Sequence, residues 1–360
     1  MGLLGKIFGK STPTSVLPKG FFTVKIKAIS AITTDSVQIS FDMDGLPQEL
    51  KSFIPGQYLT VLVQVGGEQL RRSYSICSTP EEGLSIGVKR VANGRVSNYL
   101  TQDLGLDDTL AISRPEGNFT LKESAGSFVF IAAGSGITPV LSMAKSIESS
   151  AGSSILLFGN RTQDQIMFKE ELDKLTKTKT TYFLSKETNE NCQSGRLDFD
   201  TLKFYLKENL SVLRADGFYL CGPELMIKGA IDALKFYGVS DENIHFELFT
   251  TPVLLKKESE TVGTTFSGDC TVEIILDGMS SEITLNTKKE TVLEAALNFG
   301  LDAPYSCKGG VCSTCRAKVV DGSVRMNNNL TLTDKEVAQG FILTCQAHPT
   351  SEQVKISYDE

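Results

Sequence analysis

Residues 307–315 read CKGGVCSTC, and Cys345 follows after a gap of twenty-nine residues. Three cysteines spaced C-x4-C-x2-C with a distant fourth match the spacing of a plant-type 2Fe-2S site. There, one wrapped loop and one later segment bring four thiolates, here Cys307, Cys312, Cys315 and Cys345, to two sulfide-bridged irons. Gly309 and Gly310 let the loop close tightly and turn backbone N–H groups towards sulfur, and the small Ser306, Ser313 and Thr314 leave the same room. A zinc knuckle is the competing reading of the same four ligands. Zinc sites usually pair one C-x2-C with a second, which this chain lacks, so the spacing favours the cluster.

The surroundings of that loop read as a small α+β unit. TVEIILDG and SEITLN form an expected hairpin, and TVLEAALNFG an expected helix entered at Thr291 and ended by Gly300. Upstream, TPVLLKKESETVGTTFSG has no sustained period and suits an exposed linker. Before it, the buried-strand runs FVFIAA, SSILLFGN, TYFLS and GFYLCG alternate with helical stretches, the pattern of a parallel, doubly wound sheet. Still earlier, short alternating runs such as FTVKIKAIS, QYLTVLVQV and LSIGVKRV between Gly- and Pro-bearing breaks predict a small antiparallel β-barrel. The expected division is a tail over 1–20, the barrel over 21–122, the α/β domain over 123–252, the linker over 253–268 and the cluster domain over 269–360.

The 360 residues carry a net charge of -7, and their sequence pI is about 5.2, which argues against a nucleic-acid surface. Residues 269–360 hold 13 Asp and Glu against 8 Lys and Arg, a net of -5, so the acidity concentrates at the C-terminal end. It serves either solubility or docking. The opening MGLLGKIFGK is too short in its apolar run for a signal sequence or a membrane span, and Lys6 stands where a myristoylation site needs Ser or Thr. With eight cysteines that do not read as a disulfide framework, the chain is expected to be cytoplasmic, with no membrane span.

Three further motifs point to nucleotides. In RRSYSICS, Arg72 and Tyr74 share one strand face, an arginine fork for a pyrophosphate beside a ring for stacking, although a plain surface pair has the same look. In ANGRVSNYL, Gly94, Arg95, Val96 and Ser97 form an expected helix start that could receive phosphate. In AAGSGITP, Gly134 and Gly136 follow a strand and precede a helix, though Pro139 stands where a full G-x-G-x-x-G would have its last glycine.

The order RxYS, GRVS, GSGITP, LCGPELM, HFELF and then the cluster ligands resembles the ferredoxin-NADP reductase superfamily, over residues 21–360. PEGNF near Phe119, GNRTQDQIMF from Gly159, GRLD at Gly195 and the C-terminal ferredoxin unit look most like the reductase subunits of phenylacetyl-CoA epoxidase and its relatives. The resemblance implies that Arg72, Tyr74 and Ser75 hold FAD, with Ser75 near N5, and that the Gly94–Ser97 turn binds its pyrophosphate. It implies that Gly134, Gly136, Thr138 and Pro139 receive the nicotinamide dinucleotide. Cys221, Gly222 and Pro223 would lie beside the nicotinamide, and Phe249 would face the flavin with Glu247 close by. Arg161, Ser185 and Lys186 could take a 2′-phosphate, which favours NADPH over NADH. Cys77, Cys192 and Cys270 read as packing or incidental thiols, and His245 and His348 as structural.

The expected activity is electron transfer. A nicotinamide yields two electrons as one hydride and a 2Fe-2S cluster accepts one, so a flavin must stand between them. The expected hydride contact lies between Ser75 and Cys221, and the linker is expected to let the ferredoxin unit swing to an outside partner. The resemblance implies an oxygenase as that acceptor, a di-iron enzyme acting on phenylacetyl-CoA or another aromatic. Rival readings are the reductase of a different oxygenase or hydroxylase, and a redox-sensing interaction protein without turnover.

Overall fold

The computed structural model describes residues 17–249 and 266–360. The expected linker lies outside the described residues except for its last three, and so does the expected tail except for residues 17–20.

The first unit is an antiparallel six-stranded sheet in the order Glu68–Ser75, Tyr58–Val65, Thr109–Ser113, Phe21–Thr33, Ser36–Phe41, Ser85–Lys89. Register shifts in the long strand Phe21–Thr33 bend it, and the outer strands meet where Ile76 bridges Ile86 and the Cys77 N–H donates to the Ser85 carbonyl at 2.9 Å. The alternating apolar positions turn inward: Ile39, Phe41, Leu59, Val61, Ile86 and Ile112 are buried in one cluster. Each fully buried side chain of this size stabilises the barrel by about 1.5–3 kcal/mol.

The second unit is a six-stranded parallel sheet in the order Gln193–Ser194, Thr178–Leu184, Ser153–Asn160, Ser127–Ala133, Gly217–Cys221, Ile244–Glu247. The strand Ser127–Ala133 shows why it is doubly wound. Phe128, Phe130 and Ala132 pack on one face with Val140, Leu141 and Ala144 of the helix Ile137–Glu148. Val129 and Ile131 pack on the other with Leu202 and Ile227 of the helices Phe199–Glu208 and Glu224–Phe236. The first of these clusters also takes in Cys77 and Phe119 from the barrel unit, so the two units share a core.

The third unit is a mixed five-stranded sheet in the order Met279–Asn286, Asp269–Leu276, Gln353–Ser357, Arg316–Asp321, Phe341–Leu343, a β-grasp arrangement around the helix Val292–Phe299. The expected hairpin and helix are both present. Thr291 Oγ accepts from the Glu294 N–H at 3.2 Å, Glu294 Oε2 accepts from the Thr291 N–H at 2.9 Å, and Gly300 ends the helix at φ +95°. Among the described residues no helix is long and apolar enough to cross a membrane.

Candidate functional site

Two turns meet at the carboxyl edge of the parallel sheet, where neighbouring strands Ser127–Ala133 and Gly217–Cys221 run into helices. Gly134 takes φ +56°, and a Cβ on Gly136 would stand 2.1 Å from the Cys221 carbonyl oxygen. Thr138 is buried and donates to the Ser135 carbonyl at 2.9 Å, so its hydroxyl holds the turn. Pro139 lies in the first turn of the helix, where no N–H donor is needed. Opposite, a Cβ on Gly222 would lie 3.2 Å from the Ala133 nitrogen, and Pro223 starts the helix Glu224–Phe236. This close approach of bare backbone, with two helix starts facing one crevice, is a cradle for a dinucleotide. Arg161, Ser185 and Lys186 lie at the same edge, past the next two strands: the Lys186 N–H donates to the Arg161 carbonyl at 2.9 Å and the Ser185 N–H to the Asn160 carbonyl at 3.0 Å. Glu187 accepts from the Gln163 N–H at 2.8 Å beside them.

In register on the adjoining strands, Cys221 pairs with Glu247, and Ser75 of the barrel donates to Glu247 Oε2 at 3.4 Å. The three expected residues are therefore brought together. Burial raises the Glu247 carboxyl from its ordinary 4.5 to about 8, partly offset by the Ser75 hydrogen bond, so it keeps its proton at neutral pH. Burial, then the Glu247 carboxylate, drives the Cys221 thiol well above its ordinary value, so it keeps its proton at neutral pH.

Ser75, Glu247, Phe249 and Arg72 line a cavity of about 560 Å³, which Cys307 and Cys312 line from the other side. A cavity of that size between a barrel strand and a sheet edge suits a bound ring system. The other motif residues stand away from this lining. Tyr74 packs against the barrel core, and burial holds its phenol well above the ordinary value. The Gly94 turn does start a helix, Arg95–Asn98, with Val96 in the barrel core. Arg95 pairs with Glu68 at 2.6 Å, and Ser97 Oγ accepts from the Val91 N–H at 3.1 Å.

The cluster loop is gathered as its spacing requires. Cys312 Sγ lies 3.1 Å from Cys307 Sγ, and the Gly309 N–H donates to Cys307 Sγ at 3.3 Å. Lys308 at φ +53° and Gly310 at φ +75° turn the loop, and Asn328 Nδ2 ties it down through the Gly309 carbonyl at 2.9 Å. Hydrogen bonds from Cys312 and Cys345 drive the Cys307 thiol far below its ordinary value and one from Cys345 lowers that of Cys315, while the same contacts raise Cys312 and Cys345. Thiols sharing protons in a loop lined with N–H groups fit a cluster held as four thiolates.

Contacts that sequence reasoning missed join the loop to the barrel. Arg71, next to Arg72 but on the opposite face of its strand, pairs with Asp302 at 2.9 Å, and Ser73 meets Ser306 at 2.6 Å. Tyr58 meets Thr314 at 3.0 Å, and Thr314 donates to Glu116 at 3.2 Å. The two-residue period of RRSYS held the signal for Arg71, Ser73 and Ser75 as a second face. Nothing in the sequence pairs that face with residues more than two hundred positions away.

A barrel, a nucleotide-type parallel sheet and a four-thiol loop around one cavity define a modular electron-transfer oxidoreductase. Three family models match along the chain: an oxidoreductase FAD-binding domain over residues 23–121, an oxidoreductase NAD-binding domain over 130–232 and a 2Fe-2S iron-sulfur cluster binding domain over 274–350. The chain is 36% identical to one of the subunits of 1,2-phenylacetyl-CoA epoxidase from Escherichia coli (strain K12), across 94% of this chain and 98% of that protein. It is 30% identical to the ferredoxin reductase component of 3-ketosteroid-9-alpha-monooxygenase of Rhodococcus rhodochrous, across 96% and 99%. Among solved structures, phthalate dioxygenase reductase matches with a TM-score of 0.58 and 25% identity, across 94% of this chain and 98% of that one. The chain belongs to the ferredoxin-NADP reductase superfamily, to the members that end in a plant-type 2Fe-2S ferredoxin domain. It is an NAD(P)H oxidoreductase that uses FAD and a 2Fe-2S cluster.

Proposed function

We propose that the chain is the NADPH-dependent reductase of an oxygenase of the phenylacetyl-CoA epoxidase type, in the cytoplasm. The observation that carries the acceptor is the 36% identity to the epoxidase protein, across nearly the full length of both chains. The four thiols outside the cluster set, Cys77, Cys192, Cys221 and Cys270, support a reducing compartment. Relatives that serve a ketosteroid monooxygenase keep a second acceptor class in view.

When bound, the flavin would accept a hydride from the nicotinamide and release single electrons to the cluster. The residues of the chain do the rest. Gly134, Gly136 and Gly222 leave the backbone bare for the dinucleotide, and Thr138 and Pro139 fix the first helical turn. Arg161, Ser185 and Lys186 offer basic and hydroxyl groups at the position of a 2′-phosphate, which favours NADPH. Ser75 donates to a protonated Glu247, leaving the nicotinamide contact uncharged, and Cys221 fills the floor of that contact. Arg72 and Phe249 line the flavin cavity. Tyr74 and the turn of Gly94, Arg95, Val96 and Ser97 complete the flavin-binding strip of the barrel, the turn on its pyrophosphate side. The division near residues 20, 122, 252 and 268 assigns one cofactor to each folded unit.

Reconstitution tests the acceptor. The purified chain with NADPH and a phenylacetyl-CoA epoxidase oxygenase should support epoxide formation, and a ring-hydroxylating oxygenase should gain little. Equal support of both, or support of the second alone, rejects this acceptor.

A further inference from the structure

We propose that Arg71 and Asp302 form the positioning clamp that holds the ferredoxin domain with its cluster loop against the flavin cavity. This rests on assigning that cavity to the flavin, and it concerns how the two cofactor units are docked.

Arg71 is only 6% exposed although it lies on the barrel's outer face. A guanidinium so covered must be paired or it is costly. Its partner comes from the other unit: Asp302 Oδ1 stands 2.9 Å from Nη2, and the guanidinium lies 4.7 Å from the Tyr305 ring and 5.3 Å from the barrel's Phe21 ring. The planar cation is thus held between one aromatic from each unit, a seat that lysine cannot fill in the same way.

The clamp sits where it can aim the loop. Asp302, Tyr305 and Ser306 lead directly into Cys307, and Arg71 and Ser73 grip them from a strand that continues to Ser75 at the flavin contact. On the far side, Tyr58 and Glu116 grip Thr314, the residue before Cys315. Tyr58 is the cross-strand partner of Ser75, so both grips share a single hairpin. Val311 and Leu330 pack on the core of the nucleotide unit, which fixes the third side. The chain contact that aligns the cluster is therefore anchored to the same two strands that carry the flavin residues.

Asp302→Ala in the full-length holoprotein tests this, because Asp302 is half exposed and does not line the cavity. NADPH–ferricyanide turnover, read at the flavin, should stay as in the parent. Anaerobic stopped flow should show cluster bleaching slowed by at least about tenfold relative to flavin bleaching, because removing one partner leaves the covered guanidinium unpaired. Small-angle scattering of the same protein should show a larger radius of gyration. Arg71→Ala should slow cluster bleaching less in the Asp302→Ala background than it does in the parent. Cluster bleaching at the parent rate, unchanged scattering, or a further independent loss in the double variant would overturn the clamp. Absence of flavin from the parent chain would instead overturn the cavity assignment.

Discussion

Gly136 and Cys221 approach so closely that a Cβ on the glycine would meet the cysteine's carbonyl oxygen at 2.1 Å and its carbonyl carbon at 2.5 Å. Both contacts are backbone, so neither side can yield by rotating a side chain. Gly136→Ala should cost about 3 kcal/mol, the upper end of overpacking, and weaken NADPH binding at the same time. Gly134→Ala meets nothing within 4 Å and carries only the strain of φ +56°, so its cost should be about 1 kcal/mol. Thermal denaturation and an NADPH titration of the two variants distinguish these effects.

Glu247 predicts a pH dependence. With its carboxyl raised to about 8, the native state keeps a proton that the unfolded chain loses near 4.5. Stability contributed at this site therefore falls as pH rises from about 4.5 to 8 and is level above that window. Glu247→Gln should remove the fall, becoming more stable relative to the parent by on the order of a few kcal/mol across the window. Urea unfolding of both proteins at several pH values measures it, and parallel stability curves would contradict it.

Lys186 and Arg161 sit together past the strands of the nucleotide sheet. Lys186→Glu should raise the KM for NADPH by roughly tenfold and leave NADH little changed, since an acidic group there suits a free ribose hydroxyl. Steady-state ferricyanide reduction with each donor is the check.

Cys345, the proposed fourth cluster ligand, is buried and does not line the flavin cavity. Cys345→Ser should lose bound iron and cytochrome c reduction while NADPH–ferricyanide turnover at the flavin continues. Iron analysis beside the two assays measures this, and full cytochrome c reduction in an iron-depleted variant would contradict it.

The sequence carried the parts whose signals are local. The C-x4-C-x2-C spacing of Cys307, Cys312 and Cys315, the helix entry at Thr291 and the two-residue period of the strands all act within a few positions. The flavin strip was read from Arg72, Tyr74 and Ser75, of which Arg72 and Ser75 line the cavity, yet the contacts to the ferredoxin domain belong to Arg71 and Ser73. Alternation separates two faces without saying which one another unit covers. Asp302, Tyr58 and Glu116 were silent for the same reason: single polar residues gain a role only when a distant segment docks on them.

One internal electron path joins the three cofactor units, and anaerobic titration of the purified holoprotein with NADPH, and separately NADH, tests it most directly. Flavin and iron-sulfur absorbance followed together should both bleach stoichiometrically, with NADPH the faster donor. A flavin band that is absent, or a cluster band that stays oxidised while the flavin bleaches, would contradict that path.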